Sequence, residues 1–324
     1  MNTRIQTVFE KKNPLPNIMK GDIREIEKII HSQAQSDLQQ MNRMVSSLVR
    51  NGGKRIRPII LMAVFHGMNG PGKNLGNARR SAASLELIHT ATLIHDDLID
   101  RSETRRGAPT VYAEHGIPSA ILAGDYLFVE AYALTAGLPE KLIESCVSSL
   151  RKMAEGQLLE ETIPQKELDF KTYLNIISSK TAVLFKSACE SGALLAEASD
   201  ETVKALGQAG LALGTAFQFM DDLLDVLGNE KITGKPVGTD FLSGKMTLPY
   251  FIYEECFGPL PHERTQKTFQ SILNKLTSDS VITRGKEMAL SNTNKAKELF
   301  LILENREIRK YLINMCDQML NRIL

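Results

Sequence analysis

No stretch of this chain stays apolar for the roughly 18 residues a membrane-spanning helix needs, so no span is expected. Charge of one sign is also missing: 39 Lys and Arg against 38 Asp and Glu give a net +1. That balance offers no general attraction for nucleic acid or an anionic membrane, so any electrostatic function must come from local clusters. Cysteine is scarce, and Cys146, Cys189, Cys256 and Cys316 show no CxxC or CxxH spacing. They read as buried free thiols of a reducing compartment. The opening "MNTRIQTVFEKKNPLPN" has early charges, no apolar segment and no small-residue cleavage site, so a secretory leader is not expected and a cytoplasmic location is. Residues 1–19 are expected to be poorly ordered. Gly/Ser linkers, low-complexity tracts and regular repeats are absent as well, which leaves one domain over residues 1–324 as the expectation.

Helical periodicity is what the chain does have. Hydrophobic residues make up 43% of it, enough for a substantial core. In "LELIHTATLIHDDLID" the apolar positions cover a wide stripe, as on a central helix. Similar patterns run through "SQAQSDLQQMNRMVSSLVR", "KLIESCVSSLRKMAEGQLLEET", "TAVLFKSACESGALLAEA", "VKALGQAGLALGTAFQFMDDLLDVL" and "NREIRKYLINMCDQMLNRIL". Alternating β-branched runs are nearly missing. Breakers fall between the helical stretches, among them "NGGK", "GMNGPGKN", "ETRRGAPT", "GKPVG" and "FGPLPHE". The expected class is all-α.

Two of these stretches carry the same aspartate pattern, "DDLID" at 96–100 and "DDLLD" at 221–225. Residues four apart on an α-helix lie about 40° from each other around the axis. Asp96 and Asp100 therefore share a face, with Asp97 about 100° around, and Asp221, Asp222 and Asp225 repeat the arrangement. Like charges so close oppose folding unless a cation offsets them. Carboxylate oxygens are hard ligands for Mg²⁺, which keeps several waters and bridges one or two carboxylates to substrate phosphates. Solvated acidic faces are the plainer alternative. Both copies, however, follow apolar turns, "TATLIH" and "TAFQFM", where a solvated face is hard to accommodate. The expectation is two helices opposed across a gap, clamping a polyphosphate through metal.

Cations stand where an anion would need them. "GGKRIRP" places Lys54, Arg55 and Arg57 before an apolar helix, and "TRRG" puts Arg105 and Arg106 just after the first aspartate set. Lys180 and Thr181 lie in "SSKTAVLF", while Lys235 and Lys245 follow the second set. Lys54, Arg57 and Arg106 together carry about +3 without metal, roughly matching one diphosphate. Two anion sites of different chemistry suggest two different diphosphates, the metal-held one being set to leave.

The ordered blocks "GGKRIRP", "ELIHTATLIHDDLIDRSETRRGAPT", "AGDYLF", "GQLLE", "KTAVLF", "FQFMDDLLD", "GKPVGTD" and "GKMTLP" resemble the trans-polyprenyl diphosphate synthases over nearly the whole chain. The resemblance implies an all-α bundle around a deep central cavity and condensation of isopentenyl diphosphate with an allylic diphosphate. It assigns direct Mg²⁺ contact, three ions per active site, to Asp96, Asp100 and Asp221. Asp97, Asp222 and Asp225 would act directly or through water. Arg105, Lys180, Lys235 and Lys245 would hold the allylic diphosphate, and Lys54, Arg57, His89 and Arg106 isopentenyl diphosphate. His89 lies two turns before Asp96 and points down the same face. Thr181, Gln218 and the Lys180 backbone would face the allylic cation, with departing pyrophosphate as the base.

In the family, side chains about one turn before the first aspartates floor the product cavity. Here those are Ala91 and Thr92, both small; the resemblance implies farnesyl or geranylgeranyl diphosphate as the allylic primer. Products of about six to nine isoprene units, resembling quinone side-chain precursors, follow if the floor is open. The family is usually dimeric, so a homodimer is expected. Some members are catalytic subunits that need a small regulatory partner, a second reading. A class I terpene cyclase also ionises a diphosphate with an aspartate-rich helix, but it needs no second diphosphate pocket such as "GGKRIRP" and Arg106 suggest.

Overall fold

The helical periodicities become helices in the computed structural model, which describes residues 13–50, 53–105, 107–164, 167–228 and 237–321. In chain order these are α1 (Asn17–Gln33), α2 (Gln39–Arg50), α3 (Ile56–Gly67) and α4 (Leu75–Ile99). A hairpin of β1 (Thr104–Arg105) and β2 (Ala108–Pro109) follows. Next come α5 (Val111–Ala133), α6 (Glu140–Thr162), α7 (Phe170–Ile177), a π-helical turn at Ser178–Ala182, α8 (Val183–Leu195) and α9 (Asp200–Leu227). The chain continues with α10 (Thr239–Leu242), α11 (Leu248–Phe257), α12 (Gln266–Leu276), α13 (Asp279–Phe300) and α14 (Arg306–Leu320). The class is all-α, and no helix among the described residues is long and apolar enough to cross a membrane.

The chain divides into two compact units: Met1–Ser145 with Ala188–Lys204 and Ile302–Leu312, and Cys146–Ser187 with Ala205–Leu301 and Ile313–Leu324. In the first, α4 is the central helix its wide apolar stripe suggests. Every residue from Ser81 to Ile88 is buried, alongside Ile60, Leu61, Val64 and Phe65 of α3. Met19 is fully buried, and the Asn13 amide donates to the Tyr311 carbonyl at 3.0 Å. Residues 13–19, expected to be loose, are thus tied into the unit; 1–12 lie outside the described residues.

The continuous helix suggested by "SQAQSDLQQMNRMVSSLVR" is broken at residues 34–38. Asn42 bridges the break, accepting from Ser36 N at 2.7 Å and donating to the Ser36 carbonyl at 2.5 Å. Ser and Asn side chains compete with helical hydrogen bonds in just this way.

Arg55 departs from its expected place in the anion cluster. Its φ of 49° starts α3 in the left-handed region, and its side chain is buried. Nε and Nη2 donate to the two Glu27 carboxylate oxygens at 2.6 and 3.1 Å. Nη1 reaches Glu86 at 2.9 Å and Nη2 the Val49 carbonyl at 3.0 Å. Burial alone would lower its pKa, but the two carboxylates carry it well above the usual arginine value. Arg55 is therefore the internal cation that ties α1, α2 and α4 to the start of α3.

The second unit packs around Tyr173, Phe219, Leu223, Phe241, Tyr250 and Phe269. Two glycines fit the π-helical turn between its neighbours. A Cβ on Gly156 of α6 would sit 2.6 Å from Ser179 Cβ, and one on Gly214 of α9 would sit 2.5 Å from Ala182 Cα.

Candidate active site

The first aspartate set lies at the C-terminus of α4, which ends at Ile99. Asp100 is one residue past that end, yet its N–H still donates to Asp96 O at 2.8 Å, so the helical register continues through the pair. Arg101, with φ 51°, turns the chain. Arg101 N then donates to Leu98 O at 3.2 Å and Ser102 N to Asp97 O at 2.8 Å, the paired bonds of a Schellman cap.

This turn and the hairpin bring Arg105 back onto the helix. Its Nε donates to both Asp97 carboxylate oxygens at 2.7 Å, and its Nη2 lies 2.7 Å from Oδ1. Thr110 fixes the far side of the hairpin, donating to the Ser102 carbonyl at 2.7 Å and accepting from Ala113 N at 3.0 Å as the cap of α5. The fold thus buries Asp97 on Arg105, while Asp96 is half-buried and Asp100 exposed. Lys54 is exposed, Arg57 and His89 are half-buried, and Ala91 is buried beside a half-buried Thr92. Arg106 lies outside the described residues.

The second unit carries the other set. Asp222 is buried and accepts the Tyr173 hydroxyl at 2.5 Å and Leu248 N at 3.2 Å on Oδ2, and the Gln218 amide at 2.8 Å on Oδ1. Burial pushes its carboxyl up to about 7, although these donors pull the other way. Asp225 takes the Thr239 hydroxyl at 2.5 Å, Asp240 N at 3.3 Å and the Tyr250 hydroxyl at 3.4 Å, and burial raises its pKa too. It thereby holds the start of α10. The end of α10 is closed by Gly244 at φ 81°, with Lys245 N donating to Asp240 O at 2.8 Å. Asp225 thus secures the short helix that leads to half-buried Lys245; Lys235 lies outside the described residues.

Lys180 and Thr181 sit in the π-helical turn, a feature frequent at functional sites. The Lys180 ammonium pairs with Glu160, and the Thr181 hydroxyl donates to Gln218 Oε1 at 2.8 Å. The structure therefore brings Thr181, Gln218 and Asp222 into one hydrogen-bonded chain. Three participants were missing from the sequence reading: Glu160, Tyr173 and Tyr250. Glu160 stands in the quoted block "GQLLE", so its signal was present but had no assigned partner. The tyrosines look like ordinary core aromatics until their hydroxyls are located.

The donor set suits a hard cation. Asp96, Asp100 and Asp221 offer only oxygen, Asp96 and Asp221 being partly open to solvent and Asp100 exposed. Among the described residues no group of three or more His, Cys, Asp or Glu could encage a metal by itself. Such sites fit Mg²⁺, which completes its shell with water and substrate phosphate, better than a metal needing a closed protein cage.

Residues 38–281 match the polyprenyl synthetase family. The chain is 33% identical over 288 residues to a geranylgeranyl diphosphate synthase from Methanosarcina mazei, covering 85% of this chain and 87% of that one. Among solved structures, a heptaprenyl diphosphate synthase from Staphylococcus aureus superposes with a TM-score of 0.87 at 28% identity, covering 94% of this chain and 99% of the other. A polyprenyl synthase from Caulobacter crescentus, in complex with calcium and isoprenyl diphosphate, gives 0.85 at 30% identity over 95% and 96%.

Proposed function

This chain belongs to the polyprenyl synthetase family, and from that membership we propose a specific elongation: isopentenyl diphosphate condensed with farnesyl or geranylgeranyl diphosphate, in the presence of Mg²⁺. It is a prenyltransferase of the chain-elongating kind. The product is an all-trans polyprenyl diphosphate of about six to nine isoprene units, the small side chains of Ala91 and Thr92 leaving room for it. Relatives are synthases of products from geranylgeranyl to octaprenyl and decaprenyl diphosphate, so the length rests on these two residues. A precursor of a quinone side chain is its fitting destination.

The observation that carries the reading is the division within each aspartate set. Asp97 and Asp222 are buried on Arg105 and Tyr173, whereas Asp96, Asp100 and Asp221, the carboxylates proposed to bind Mg²⁺, remain in reach of solvent. Bound there, three Mg²⁺ ions would neutralise the charge that grows on pyrophosphate as it leaves. Arg105, aimed by Asp97, joins Lys180, Lys235 and Lys245 on the allylic diphosphate. An incoming diphosphate competes with Glu160 for the Lys180 ammonium. Lys54, Arg57, His89 and Arg106 bind isopentenyl diphosphate. Thr181 and Gln218 present dipoles to the allylic cation, water is excluded, and the double bond of isopentenyl diphosphate attacks before a proton passes to pyrophosphate.

The test is the purified chain alone, given farnesyl diphosphate, isopentenyl diphosphate and Mg²⁺, with products read by mass spectrometry. Activity only with an added small subunit would convert this chain to a catalytic subunit; turnover without isopentenyl diphosphate would make it a cyclase. Thr92→Tyr is expected to shorten the product by several isoprene units at an unchanged unfolding midpoint. Ala91→Tyr should shorten it as well but also destabilise, because Ala91 is fully buried and overpacking costs about 1–3 kcal/mol. An unchanged product from both would remove the floor from these positions.

A homodimer is proposed as the working form, supported by a stripe on α5. Ile117, Ile121, Leu122, Val129 and Tyr132 are 43–69% exposed and fall within about 140° of one helical face. Sedimentation at twice the monomer mass is the expected result, and a monomer with full activity would contradict it.

A further inference from the structure

Thr181 and Tyr173 are eight residues apart, which on a regular α-helix would set them about 80° from each other. The π-helical turn at Ser178–Ala182 takes in one more residue than an α turn and brings them to within about 20°. Both can then address α9, where Gln218 and Asp222 are a single turn apart. Tyr173 donates to Asp222 at 2.5 Å, Gln218 Nε2 donates to Asp222 at 2.8 Å, and Thr181 donates to Gln218 Oε1 at 2.8 Å.

The direction of this chain follows from the donor inventory. Asp222 Oδ1 accepts from Gln218 Nε2, so the amide stands with its nitrogen towards Asp222 and its oxygen towards Thr181. The Thr181 proton is thereby committed to Gln218, and its oxygen is left to present lone pairs. Tyr173 anchors the far end. It is 3% exposed, and its ring is held by Phe219, Phe170 and Phe251 at centroid distances of 6.3, 5.6 and 5.3 Å. Leu248 N, at 3.2 Å, gives the same carboxylate oxygen a second donor.

We propose that Tyr173 is a positioning residue for the prenyl transfer: through Asp222 and Gln218 it fixes the Thr181 hydroxyl with its oxygen, not its proton, towards the allylic cation. This rests on the function proposed above. Tyr173 itself touches no reacting atom. Its loss loosens Asp222, frees the Gln218 amide to rotate, and lets the Thr181 proton turn towards the developing positive charge.

The experiment is a double-mutant cycle with two readouts. In the substrate- and metal-free protein, Tyr173→Phe and Thr181→Val are expected to be non-additive in the unfolding midpoint, which reports the connected chain without any activity. In turnover, Tyr173→Phe is expected to lower kcat about tenfold at unchanged KM for both substrates, as for a group acting only on the transition state. In a Thr181→Val background the same change should cost less than twofold, and in a Thr181→Ser background the tenfold loss should return. Multiplicative losses in the Val background, or a Tyr173→Phe effect confined to KM, would overturn the proposal. A parent enzyme that does not condense the two diphosphates would overturn it together with the proposed function. A coupled unfolding cycle beside multiplicative kcat losses would overturn the positioning role alone.

Discussion

Asp221→Ala and Asp96→Ala are each expected to reduce kcat about a thousandfold or more, the scale seen when one preorganised stabiliser of a developing oxyanion is removed. That is about 4 kcal/mol of transition-state stabilisation. Neither change should move the unfolding midpoint as far as loss of a buried carboxylate would, because Asp96 and Asp221 are only half-buried. Asp97→Ala and Asp222→Ala should behave differently. Removing Asp97 takes away the carboxylate that holds Arg105, and removing Asp222 strands the Tyr173 hydroxyl, the Gln218 amide and Leu248 N. Each orphaned buried partner costs about 1–3 kcal/mol, so these variants should lose stability as well as rate. Steady-state kinetics beside urea titrations of all four proteins checks the pattern. Parent-like turnover in folded Asp96→Ala and Asp221→Ala would end the reading of these carboxylates as the metal site. Equal destabilisation by all four would reduce both motifs to packing elements.

What could be read from residues alone followed the reach of the interactions. The long helices were legible because their apolar periodicity is a local property: α6, α9 and α14 begin and end within a few residues of the expected stretches, while α4 ends where expected but starts ten residues earlier, at Leu75 rather than Leu85. Both aspartate sets were legible for the same reason: a spacing of four residues on a helix fixes a shared face without tertiary information. The break at residues 34–38 was missed because it hangs on one side-chain bridge from Asn42, which helical periodicity does not record. The hairpin at "TRRGAP" looked like plain loop because its strands are two residues each. The π-helical turn was invisible too, since "SSKTAVLF" is a good α-helical sequence and the extra residue is accommodated by glycines distant in sequence, Gly156 against Ser179 and Gly214 against Ala182. Which member of a charged pair faces inward depends on partners distant in sequence, and that is where Arg55 was misread.

Arg55→Met should be the most destabilising single change in this set. The guanidinium satisfies two carboxylates, Glu27 at 15% and Glu86 at 4% side-chain exposure, and caps the Val49 carbonyl. Methionine fills much of the same volume, so lost packing contributes little; the effect comes from a buried and a half-buried anion left without their shared cation. Breaking a buried ion pair from one side costs about 3–5 kcal/mol, a large share of the roughly 5–15 kcal/mol that holds a typical protein folded. Relief of the left-handed φ at this position is not available to offset it, because methionine gains nothing there over arginine. Arg55→Lys should recover only part of the loss, since one ammonium on a flexible stem cannot span both carboxylates and the carbonyl as the planar fork does. Adding Glu27→Gln and Glu86→Gln to Arg55→Met should restore most of the stability by removing the stranded charges. Urea midpoints of the parent, Arg55→Met, Arg55→Lys and the triple variant decide the matter. If Arg55→Met instead keeps its midpoint and raises only KM for isopentenyl diphosphate, Arg55 is a substrate ligand after all, and the charge read from "GGKRIRP" belongs wholly to the diphosphate.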